Sequence, residues 1–229
     1  MKLSKHTLKI LNNLAGFNQH FYASPGNSLR SMTSMKSCVC VTEIEETIDA
    51  EISLFSLTAF LDVVNILDDP VLDIQDDFID LSCNDRRLSY RFFQTDPTAL
   101  QKVKKLPPFP DSDLDFFLSE KDLSLILKLA APSKAMPDLP DVVLEDGRLS
   151  VTDAKNDNSN VFSIELFDET REMDYKIITA IRNFSLLLPG SYDVSVNHKK
   201  ISRFSHTDFN YVVYMAQEPA SHFLLNKDL

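Results

Sequence analysis

Glycine is scarce in this chain of 229 residues: only Gly16, Gly26, Gly147 and Gly190 occur, and no two are close together. A phosphate-cradling P-loop and a dinucleotide fingerprint both need clustered glycines, so neither is present. Cysteine is scarce too. Cys38, Cys40 and Cys83 form no even disulfide framework, which suits a reducing, cytoplasmic setting. Cys38-x-Cys40 has no second pair to complete a zinc site, and strand spacing would place both as small core residues on one side. No apolar run approaches the ~20 residues of a bilayer-spanning helix, so no membrane partner is expected. The start, MKLSKHTLK, lacks the long apolar segment of a signal peptide. Bases are outnumbered, 23 against 34 acids, for a formal net charge of −11. This excludes a protein that coats nucleic acid with a uniformly basic surface, but not one that gathers its lysines on one face.

Proline is concentrated where glycine is not. Residues 96–113, DPTALQKVKKLPPFPDSD, hold Pro97, Pro107, Pro108 and Pro110, four of the 11 prolines. Each fixes φ and removes a backbone donor, so the run cannot pair inside a sheet or continue a helix. Lys102, Lys104 and Lys105 keep it solvated, while Leu100, Val103, Leu106 and Phe109 can lie against a folded body. It reads as a semi-rigid strap, residues 96–112, between a first domain over 1–95 and a second over 113–229. With 44% hydrophobic residues, each half can fill a core.

The two halves run a similar program of helix, strands, helix, strands. In the first, Leu3–Ala15 reads as a helix capped by Ser4, striped by Leu8, Leu11, Leu14 and Ala15, and stopped by Gly16. Short strands follow over 20–53, with Thr47–Ser53 alternating. Leu57, Phe60, Leu61, Val64 and Leu67 mark a second helix over 54–67. Strands are expected at 71–74, 78–83 and 88–93. In the second half, a strand at 115–118 precedes a helix opened by Ser119 with Asp122 three residues on. Its stripe is Leu123, Ile126, Leu127 and Ala130. Glu145-Asp146-Gly147 predicts a hairpin between strands 142–144 and 148–152. Further strands are expected at 161–167, 175–179, 192–196, 201–204 and 210–215, with a short helix over 181–188. Strands outnumber helices and do not alternate with them singly, so the fold class is α+β with antiparallel sheets.

Catalytic or metal-binding patterns are not found. Asp62, Asp68, Asp69, Asp73, Asp76, Asp77, Asp80 and Asp85 form an acidic run without a base. Its spacing is not that of a calcium loop, and it reads as a solvated face. His6, His20, His198, His206 and His222 are scattered, with no nucleophile or carboxylate at a motif spacing; spacing says nothing of a triad assembled in space. No enzyme, metal or cofactor is expected. The lysines are more informative. Lys2, Lys5 and Lys9 share one face of the first helix, and Lys121 and Lys128 share one face of its counterpart, with Lys134 just beyond. An ordinary wet helix face is the plain reading. In an acidic chain, however, two lysine-only faces could also form a positive lining that binds phosphates without reading bases.

MKLSK at the start, the PPFP strap, Ser119-Glu120-Lys121-Asp122-Leu123, Leu188-Pro189-Gly190-Ser191-Tyr192 and Asn210-Tyr211-Val212-Val213 resemble, in order and spacing, the DNA polymerase sliding clamps of T-even-type bacteriophages. The resemblance spans the chain, except that the tail from Glu218 to Leu229 has no counterpart, the fourth helix is short and the acidic run is long. It implies a clamp fold of two similar domains, and a homotrimeric ring with sheets outside and helices lining a hole. It also implies a non-enzymatic processivity factor in the cytoplasm of an infected bacterial host. Duplex DNA, a DNA polymerase and a clamp loader would be its partners. The residues expected to face DNA are Lys2, Lys5, Lys9, Lys121, Lys128, Lys134 and Arg182. Leu106, Pro107, Phe109, Tyr214, Ala216 and Pro219 are expected to form a pocket for partner peptides. Leu88, Tyr90 and Phe92 of one subunit are expected to meet Val161, Ile164 and Leu166 of the next. The competing reading is a two-domain acidic adaptor that binds proteins only, and solution mass separates the two.

Overall fold

A computed structural model describes residues 1–67, 69–83, 88–133, 140–156, 158–167 and 174–224, with only the backbone described at 131–133 and 224. The chain separates into two compact units, Met1–Leu106 and Pro107–Leu229. The first runs α1 (Lys5–Phe17), β1 (Phe21–Ala23), β2 (Gly26–Met32), β3 (Cys38–Ile48), β4 (Ile52–Leu54), α2 (Leu57–Leu67), β5 (Val71–Ile74), β6 (Phe78–Cys83) and β7 (Leu88–Phe93). The second runs β8 (Leu114–Leu118), α3 (Glu120–Ser133), β9 (Asp141–Glu145), β10 (Arg148–Thr152), β11 (Phe162–Glu165), β12 (Asp174–Ala180), α4 (Ile181–Phe184), β13 (Tyr192–Asn197), β14 (Ile201–His206), β15 (Tyr211–Ala216) and β16 (His222–Leu224).

The repeat is visible strand by strand. In each unit a helix is followed by four strands, a second helix and a three-stranded meander. β1 pairs antiparallel with β4 as β9 does with β12. The β2–β3 hairpin answers to β10–β11. The meander β5-β6-β7 answers to β13-β14-β15. β8 borders β13 ahead of α3. Ahead of α1, Met1 stands in the same relation to β5: its amino group donates to the Leu72 carbonyl at 2.5 Å, and the Leu72 amide donates back to Met1 at 2.7 Å.

The helices follow from their apolar periods. α2 buries Leu57, Phe60, Leu61, Val64 and Leu67, one face of a 3.6-residue repeat. α3 buries Leu123, Ile126 and Ala130, while Leu127 is half-buried. Its Ser119 hydroxyl accepts from the Asp122 amide at 3.1 Å and donates to the Asp122 carboxylate at 2.5 Å, closing the first turn. α1 departs from expectation at both ends. It starts at Lys5 behind Ser4, whose hydroxyl accepts from the Thr7 amide at 3.1 Å, and it passes through Gly16 to Phe17. A helical glycine costs about 1 kcal/mol. Burial of Phe17 contributes about 1.5–3 kcal/mol, which outweighs that cost. The buried stripe is Thr7, Ile10, Leu11, Leu14 and Phe17, with Leu8 only half-buried. Glu46 on β3 secures the same end by accepting from the Ser4 amide and the Thr7 hydroxyl.

Other differences are local. Thr47–Ser53 is not one strand, because β3 ends at Ile48 and β4 begins at Ile52. The helix expected over 181–188 has one turn, Ile181–Phe184, followed by tighter turns through Leu187. Phe184, Leu187 and Leu188 are all buried, and only Arg182, Ser185 and Pro189 of residues 181–189 are exposed. Residues 84–87, which join the expected strands 78–83 and 88–93, lie outside the described residues. The turn at Asp146-Gly147 forms as expected, with both residues at positive φ, 49° and 70°.

The strap is shared between the units. In the first, Leu100 is buried and the Lys102 ammonium sits 4.1 Å from the centre of the Tyr22 ring. In the second, residues 107–113 cross one face of β13–β15. The Asn197 side-chain amide donates to the Asp111 carbonyl at 2.5 Å, the Asp113 amide donates to the Val196 carbonyl at 2.9 Å, and Phe109 packs on Tyr214 with ring centres 6.2 Å apart.

Candidate functional site

Three surfaces carry the residues singled out above. The first is the pair of long helices that open the two repeats. On α1, Lys5, Lys9, Asn12 and Gly16 are exposed and follow one helical stripe opposite the buried face. On α3, Lys121 and Lys128 are exposed seven residues apart, on the side away from Leu123 and Ile126. Neither Lys5, Lys121 nor Lys128 enters an ion pair among the described residues. Lys2 is also exposed but differs, since its ammonium is 2.5 Å from Asp69. Its charge is thereby partly neutralised, and it is weaker as a phosphate ligand than its position in the sequence implies. Arg182 is exposed in the single turn of α4. Lys134 lies outside the described residues. The second helix of the first unit adds nothing positive: α2 exposes Thr58, Ala59, Asp62, Asn65 and Ile66.

The second surface is a pair of outer strands. Among the described residues β7 borders β6 alone in the order β5-β6-β7, and β11 borders β10 alone in the order β11-β10-β9-β12-β16. β7 is exposed along nearly its whole length, with Leu88, Tyr90 and Phe93 exposed. Phe92 instead turns toward α2, its ring edge-on to Phe60 at 5.6 Å. β11 is shorter than expected, Phe162–Glu165, so Val161 and Leu166 flank it. Strand side chains alternate, which puts Val161 out of phase with Ile164 and Leu166. Ile164 and Phe162 share the half-buried side, while Val161 is exposed at 63%. The expected apolar sets, Leu88–Tyr90–Phe92 and Val161–Ile164–Leu166, are therefore not two uniform faces.

The third surface surrounds the second half of the strap. Phe109 and Tyr214 are brought together, and Ala216 follows two residues later on β15, exposed. Arg203 of β14, opposite Tyr214 in register, places its guanidinium carbon 4.9 Å from the centre of the Phe109 ring. Pro107 is exposed, and Leu106 closes the first unit half-buried. Pro219 is not beside Tyr214 in this group. It lines a separate cleft of about 540 Å³ with Pro140, Asp141, Lys155, Arg182 and Glu218. Burial, with Glu218 and Asp153 close by, holds the Asp141 carboxyl above its ordinary range despite a bond from the Ala154 backbone and the charge of Lys155. Among the described residues no group of three or more His, Cys, Asp or Glu could hold a metal ion.

No protein-family model matches the chain. Among curated proteins it is similar to the sliding clamp of Vibrio phage KVP40, 26% identical over 220 residues that cover 93% of this chain and 98% of the relative. It is likewise similar to the sliding clamp of Enterobacteria phage T4, 20% identical over 231 residues, 97% and 100% of the two chains. Among solved structures it matches the proliferating cell nuclear antigen of Entamoeba histolytica at a TM-score of 0.65 and 15% identity, over 92% and 94% of the two chains. A putative DNA polymerase III beta subunit from Eubacterium rectale matches at 0.69 and 15% identity, over 100% of this chain and 67% of that one.

The chain has the sliding-clamp fold. In a clamp fold the two long helices α1 and α3 hold equivalent places, so the two lysine stripes are one feature occurring twice. Two parts of this fold escape a reading of the sequence. Arg203 has no motif around it; its only signal is the alternation Ile201, Arg203, Ser205 on a strand opposite Tyr214. β16 is three residues long and exists through its ladder to β12.

Proposed function

We propose that this clamp encircles duplex DNA and tethers the replicative DNA polymerase for processive synthesis, without catalysing a reaction itself. The observation that carries the reading is the exposed lysine stripe present at the same place in both repeats, on a chain of net charge −11. Lys5, Lys9, Lys121 and Lys128 are the main phosphate-facing cations, with lesser roles for Lys2 and Arg182, and Lys134 is expected to add to them. Lysine suits a sliding contact because it is a hydrated point charge on a flexible stem, where arginine would hold phosphates bidentately. The acidic remainder repels DNA elsewhere on the surface.

Each unit serves as one clamp domain, and three copies close head to tail by pairing β7 of one subunit with β11 of the next, which covers both outer strands. Phe109 and Tyr214, with Pro107 on the strap and Ala216 on β15, receive an apolar segment of the polymerase and of the loader that opens the ring. Two or three buried apolar side chains at ~1.5–3 kcal/mol each, less the ordering costs, suit micromolar binding. Binding to linear duplex should be weak, independent of sequence and steeply salt-dependent. Reversing the charge at Lys5 and Lys128 together should abolish it while leaving the trimer intact in sedimentation. Unchanged DNA binding by that double variant would refute the assignment.

A further inference from the structure

Arg203 is a base without an acid in a chain where acids outnumber bases by 34 to 23. None of the ion pairs among the described residues includes it. One of its terminal nitrogens donates to the Ser195 hydroxyl at 2.9 Å, a neutral acceptor. Its Nε is buried and has no hydrogen-bond partner among the described residues. The Phe109 ring lies over the guanidinium carbon at 4.9 Å and packs in turn on Tyr214. A cation–π contact accounts for the attraction between Arg203 and Phe109, but it gives Nε no oxygen or nitrogen acceptor, and an aromatic face is at best a weak one. A buried donor left unmade is costly, and the cost falls away when an acceptor arrives.

We propose that Arg203 is a specificity-determining residue of the partner pocket, which selects peptides carrying an aspartate or glutamate side chain beside their apolar anchor. The inference rests on the reading of Phe109 and Tyr214 as that pocket. Side-on pairing through Nε and an adjacent terminal nitrogen is the geometry in which arginine holds a carboxylate. A monoanion fits better than a phosphate dianion, because the same face of the sheet carries Asp115 opposite Ser195 and Asp193 two residues before it. Phe109 is then a removable cover. In the free clamp its ring shields the guanidinium, and in the complex the apolar anchor of the peptide takes over the contact with Tyr214 while the carboxylate reaches Nε.

The test pans random seven-residue peptides, displayed at an internal position so that none has a free carboxyl terminus, on the intact wild-type clamp and on its Arg203→Gln, Arg203→Lys and Tyr214→Ala variants. Wild-type selections should carry an acidic residue next to an aromatic or leucine, and Arg203→Gln selections should lose the acid but keep the apolar anchor. For one selected peptide, Arg203→Gln and replacement of its acid by the amide should each weaken binding about 10- to 100-fold, and together no further. Arg203→Lys should recover only part of the affinity, since it keeps the charge and loses the fork. Equal melting temperatures and equal ring mass establish that the variants fold. If Tyr214→Ala abolishes binding but wild type and Arg203→Gln select the same peptides, the role of Arg203 is refuted and the pocket stands. If Tyr214→Ala leaves binding intact, or no peptide is selected, the pocket reading fails. Binding that requires a free carboxyl terminus instead of an internal acid also overturns the proposal.

Discussion

Glu46 shows how one side chain couples two elements. It stands on β3, yet its carboxylate receives the Ser4 amide and the Thr7 hydroxyl at the start of α1. Burial alone would raise its pKa, but the donations from Thr7 and Ser4 outweigh burial and hold it below the ordinary glutamate range. The linkage has a definite sign. A carboxylate with a depressed folded pKa stabilises the fold above its unfolded value, about 4.3, and that contribution is lost as pH falls through the folded value. Glu46→Gln should therefore lower stability at pH 7 by about 1–2 kcal/mol. Its urea midpoint should also fall less than that of wild type between pH 5 and pH 3. Parallel pH profiles would show that Glu46 has no such role. Gly147 is constrained in a different way. Its φ is +70°, and an added Cβ would lie 2.2 Å from the Phe167 carbonyl oxygen, a backbone atom. Gly147→Ala should cost about 1–3 kcal/mol and lower the melting temperature accordingly, whereas the exposed Gly16→Ala in α1 should raise it slightly.

At the scale of elements, the proposed ring rests on the outer strands. A proline on β7 removes a backbone donor and fixes φ, which a paired strand does not accept. Tyr90→Pro should shift the sedimentation profile from trimer toward monomer, and an unchanged profile would remove β7 from the interface. Elements governed by local rules are legible in the sequence. α2 is one, because its five buried residues follow a single helical period, and the Asp146-Gly147 turn is another, because few other dipeptides accept positive φ twice. Elements that depend on distant partners are not. β16 needs β12, the passage of α1 through Gly16 needs the pocket that takes Phe17, and the neutralisation of Lys2 needs Asp69, 67 residues away. The candidate site divides in the same manner. Lysine spacing on a helix exposes a charged stripe to simple inspection, whereas Arg203 acquires meaning only when a strap from 94 residues upstream lays Phe109 on it.

The molecule as a whole combines an acidic composition with two lysine stripes, and the account joins these by topology. If DNA passes through a closed ring, the lining need only be weakly attractive, and retention does not depend on equilibrium affinity. The measurement that tests this most directly places the proposed ring, by means of a clamp loader, on a nicked circular duplex and on the same duplex after linearisation, and follows bound protein as salt is raised. On the circle the clamp should persist at salt concentrations that abolish binding to linear DNA, and a single restriction cut should release it at once. Salt-induced loss from the closed circle, in step with loss from linear DNA, would contradict encirclement.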